Sequence, residues 1–113
     1  MSVSLSADGN SLAVGALFES SAAIGINGDQ NDNTASESGA VYVFVLNGES
    51  WQQHAYVKAN NTDSSDEFGF DVILSGDGRT LAVGAIGEHS ATTGINGESG
   101  DNSARNAGAV YIY

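Results

Sequence analysis

Asp29, Asn31 and Asn33 stand at one-three-five spacing in a polar stretch, with Asp32 and Glu37 close by. Alternating oxygen-bearing side chains let a turning loop wrap a hard cation, and calcium takes six to eight oxygen ligands. These three residues are therefore the candidate calcium ligands. A matching stretch later in the chain carries Glu98, Gly100 and Asn102 in their places. Asp and Asn are also the ordinary residues of solvated turns, so a plain loop is the competing reading. The acidic run Asp63-Ser64-Ser65-Asp66-Glu67 likewise offers oxygens but reads better as an exposed connector.

Catalytic chemistry has fewer candidates still. His54 shares a mixed-polarity stretch with Gln52, Tyr56 and Lys58 and is expected at the surface, while His89 falls where an earlier copy of the same pattern has Ser20. Neither has a carboxylate pair at ligand spacing, and neither is assigned a role. No nucleophile elbow, phosphate loop, dinucleotide fingerprint or zinc motif occurs. Gly25-Ile26-Asn27-Gly28 is glycine-rich but has no helix after it to hold a phosphate. The chain is read as not an enzyme, because a site needs convergent partners rather than scattered hydroxyls.

These residues are positioned by an internal repeat. Residues 2–44 and 71–113 align without a gap at an offset of 69, with 24 of 43 positions identical. Within each copy an Asp-Gly turn, Asp8-Gly9 or Asp77-Gly78, sits between two β-branched, alternating runs, the signature of a tight hairpin. The expected strands are 3–6 with 11–16, and 70–75 with 80–85. A third strand, 40–46, places Val41, Val43 and Val45 on one face and Tyr42, Phe44 and Leu46 on the other. Such a strand is expected to be covered on both sides. It returns in part as 109–113. Asn47-Gly48 turns into a fourth strand over 51–59, of mixed polarity and so outermost in its sheet.

Four antiparallel strands per repeat, sandwiched between neighbours, is the plan of a β-propeller blade. The fold class expected is all-β. Residues 1–69 form a first blade with an inserted loop at 17–39 and a connector at 60–67. Residues 70–113 form a second blade that stops after its third strand, with an inserted loop at 86–108. The loops are expected on one rim of the disc, with no core of their own. Trp51, Tyr42, Phe44 and Tyr56 could make a carbohydrate-stacking platform, but packing between blades explains them better.

At this point the residues resemble the FG-GAP repeat family, the blades of the integrin α-subunit propeller and of many bacterial secreted proteins. Phe68-Gly69 supplies the name-giving pair. Gly15-Ala16-Leu17 and Gly84-Ala85-Ile86 stand at the Gly-Ala-Pro position with the proline replaced, and Gly-Ala-Val-Tyr closes both copies at 39–42 and 108–111. The resemblance implies a propeller of several blades, extracellular or on the cell surface, serving as a binding or scaffold module. Calcium-binding blades of the family carry a longer acidic loop between the first two strands. Here that link is shortened to residues 6–10 and 75–79 with one carboxylate each, which favours a simple hairpin turn.

Composition bounds what remains. Three Lys plus Arg stand against fourteen Asp plus Glu, a net charge of −11, and such a surface repels nucleic-acid backbones and anionic lipid. Cysteine is absent, which excludes thiol chemistry and disulfide staples. No apolar run approaches the roughly 20 residues that span a bilayer, and no secretory signal follows Met1. The expectation is a non-catalytic extracellular or cell-surface adhesion module, part of a larger propeller, meeting a protein or carbohydrate through its rim loops and neighbouring blades, or further copies of itself, through its faces. The alternative is a structural propeller segment appended to an exported enzyme whose active site lies elsewhere.

Overall fold

A computed structural model describes residues 1–113. Seven strands follow in chain order: β1 (Ser2–Leu5), β2 (Ser11–Ala16), β3 (Ala40–Asn47), β4 (Ser50–Val57), β5 (Phe68–Leu74), β6 (Leu81–Ala85) and β7 (Ala109–Ile112). The first four form one antiparallel sheet in the order β1-β2-β3-β4, and the last three a second in the order β5-β6-β7. These are two consecutive propeller blades, one four-stranded and one three-stranded. The Asp-Gly turns form as expected. Gly9 and Gly78 both adopt φ near +70° (72° and 71°), while Asp8 and Asp77 accept hydrogen bonds from the Ser6 and Ser75 hydroxyls.

The hydrophobic core is the seam between the sheets. Ala13, Val41 and Val57 from the first blade meet Val72, Leu74, Leu81 and Val83 from the second. Register explains the choice of face. Gly15 pairs with Val41 and Ala13 with Val43, so these positions share the side turned to the second blade, while Leu12, Val14, Tyr42 and Phe44 share the other. Covering of β3 on both sides, expected from its sequence, is therefore met on one side only. On the far faces Val3, Leu5, Ile73, Val110 and Ile112 are exposed.

The Phe68-Gly69 pair sits at the start of β5, where the pairing with β6 slips between Phe68 and Asp71. Such a bulge redirects a strand. Here it drives the Phe68 ring fully into the seam, edge-on to Tyr111 with ring centroids 5.4 Å apart. Gly69 adopts φ 89° and presses against the first blade, where a Cβ would stand 2.6 Å from the Ala40 carbonyl oxygen; a Cβ on Gly15 would run into the Gly69 carbonyl. The two glycines are what allow the backbones of the two blades to touch.

Candidate functional site

The rim loops are better ordered internally than their composition implied. Each loop is held by the same set of bonds. In the first, Ser21 N–H donates to the Glu19 carboxylate, Ser21 Oγ to the Asp29 carbonyl, Ala35 N–H to the Ser20 carbonyl and Gly39 N–H to the Glu19 carbonyl. In the second, Ser90, Ala104 and Gly108 repeat all four toward Glu88, Glu98, His89 and Glu88. Local polar side chains thus replace the absent apolar core, as short hydroxyl and carboxylate groups readily do in turns.

The centre of the first loop is a buried ion pair. Lys58, with no exposed surface, donates from Nζ to Glu19 Oε2 at 2.9 Å and to Ser38 Oγ at 2.7 Å. Burial holds the ammonium below its usual pKa, and the Glu19 carboxylate opposes that drop. Tyr56 is also buried, its ring 5.2 Å from that of Tyr42, and burial raises its hydroxyl. The surface expected for this strand holds for Gln52 and His54 and fails at its end. The reason is a bulge: Phe44 pairs with Gln53 but Val43 with Ala55, so His54 is skipped and the side-chain alternation inverts beyond it. Residues 56–59 then run beneath the loop. Asn27 N–H donates to the Tyr56 carbonyl, Tyr56 N–H to Asn27 Oδ1, Lys58 N–H to the Gly25 carbonyl and Gly25 N–H to the Ala59 carbonyl.

Near the second loop the buried charge is acidic. Asp66 and Glu88 are both buried. Asp63 N–H donates to the Asp66 carboxylate at 2.8 Å, and Asn61 Nδ2 to Glu88 Oε1 at 3.1 Å. Burial, reinforced by the carboxylates of Asp63 and Glu88, pushes Asp66 up to about 6. Tyr111 donates its hydroxyl to Asn61 Oδ1 at 2.7 Å and is raised by burial to about 12. The connector is therefore an exposed turn only in part, because Asp66 faces inward.

Asp29, Asn31 and Asn33 lie together in the first rim loop. The Asp29 carboxylate accepts the Asn31 N–H at 2.9 Å, and Asn33 Nδ2 donates to the Asn31 carbonyl at 3.4 Å. Asp32 accepts from Thr34 N–H and Ala22 N–H. No three His, Cys, Asp or Glu side chains gather as a metal-holding group. His89 accepts the Asn106 N–H through Nδ1. Sequence reasoning missed Lys58, Glu19 and Glu88; the glutamate is kept in phase at 19 and 88, but so are many other loop positions, and nothing marked it out.

Two antiparallel blades packed through a Phe-Gly bulge define a β-propeller repeat. The model of the FG-GAP repeat family matches residues 51–113, more than half of the chain, and the chain belongs to that family. No curated protein and no solved structure matches it. No helix is long and apolar enough to cross a membrane.

Proposed function

We propose that the chain is a non-catalytic adhesion or binding module working outside the cell, whose rim loops contact a protein or carbohydrate ligand. The observation that carries this reading is the first rim loop. It is braced from below by the Lys58–Glu19–Ser38 cluster, yet it presents Phe18 and Ile24, 68% and 62% exposed, to solvent. Apolar side chains held out by a rigid polar base are what a contact surface needs, because little ordering remains to be done on binding. Loops on rigid scaffolds commonly carry recognition. Family membership supports the extracellular setting, and the net charge of −11 argues against nucleic acid as the partner.

The test is to immobilise the chain and titrate collagen, mucin, cellulose and mannan over it. Saturable binding to at least one is expected, weakened ten-fold or more in Phe18→Ser/Ile24→Ser with an unchanged melting temperature. No saturable binding, or binding indifferent to both substitutions, would remove the reading.

A further inference from the structure

We draw no further inference here: the strongest candidate, the buried acidic pair Asp66 and Glu88 between the connector and the second rim loop, carries nothing because its carboxylates accept from the chain's own Asp63 N–H, Asn61 Nδ2 and Ser90 N–H and no second feature beside it points to a ligand.

Discussion

The two rim loops have nearly the same sequence skeleton and the same internal bonds, but only the first lies over a fourth strand. In the first, Glu19 is met by Lys58 and the Gly25–Asn27 backbone is met by residues 56–59. In the second, Glu88, Gly94 and Asn96 take the same positions with neither partner. The shape of the loop is therefore written in its own short-range polar bonds, and the strand beneath it contributes burial and charge pairing rather than conformation. That separation tells where stability should reside.

Its sharpest test is charge. Lys58→Ala strands a carboxylate in a site built for an ion pair, and removing one partner of a buried pair costs about 3–5 kcal/mol. Urea denaturation is expected to show a loss of that size. The double variant Glu19→Gln/Lys58→Met should recover most of it, and Glu88→Gln should cost under about 1 kcal/mol. A Glu88→Gln loss as large as that of Lys58→Ala would erase the distinction between the loops.

Backbone contact gives the next contrast. Gly15→Ala drives a methyl into the Gly69 carbonyl, whereas at the equivalent Gly84 the nearest atom to an added Cβ is Asp71 O at 3.9 Å. Overpacking of a rigid contact costs about 1–3 kcal/mol. Gly15→Ala should lower the melting temperature by several degrees while Gly84→Ala leaves it within about 2 °C.

The smallest effect is acid-linked. Asp66 is raised from 3.8 to about 6 in the folded chain, so between those values the folded state holds more protons than the unfolded one. Its contribution is complete below about pH 4 and disappears as pH rises through about 6. Subtracting the stability curve of Asp66→Asn from that of the wild type should leave a fall of roughly 1–2 kcal/mol across that window, after allowance for solvent screening. A flat difference would mean that Asp66 is no more desolvated in the folded chain than an ordinary surface carboxylate.

The repeat made most of the fold legible. An ungapped offset and two Asp-Gly turns located six of the seven strands to within about two residues, while β3, apolar on both faces, gave no sign of which face packs. The fourth strand was harder, because polarity along it does not follow its exposure. A bulge at His54 inverts the alternation, and a lysine that polarity would place in water is buried against a glutamate 39 residues away. A partner at that separation, in a loop with no periodicity, leaves no local pattern. The three oxygen-bearing residues of the first loop were legible as neighbours, but their turn bonds depend on backbone conformation that composition does not specify.

The seam also carries a direction. Val72 N–H and Leu74 N–H of the second blade donate to the hydroxyls of Ser2 and Ser4 in the first, so the inner edge of β5 is sealed by side chains rather than by a strand. In the following copy those serines are replaced by Asp71 and Ile73. The units are consequently not interchangeable bricks. A tandem in which the second copy preceded another like itself would set a hydrocarbon where Ser4 now accepts, leaving an amide of the next blade without a partner. Shuffling or duplicating these units should thus succeed in one order and fail in the other, although either order preserves every strand.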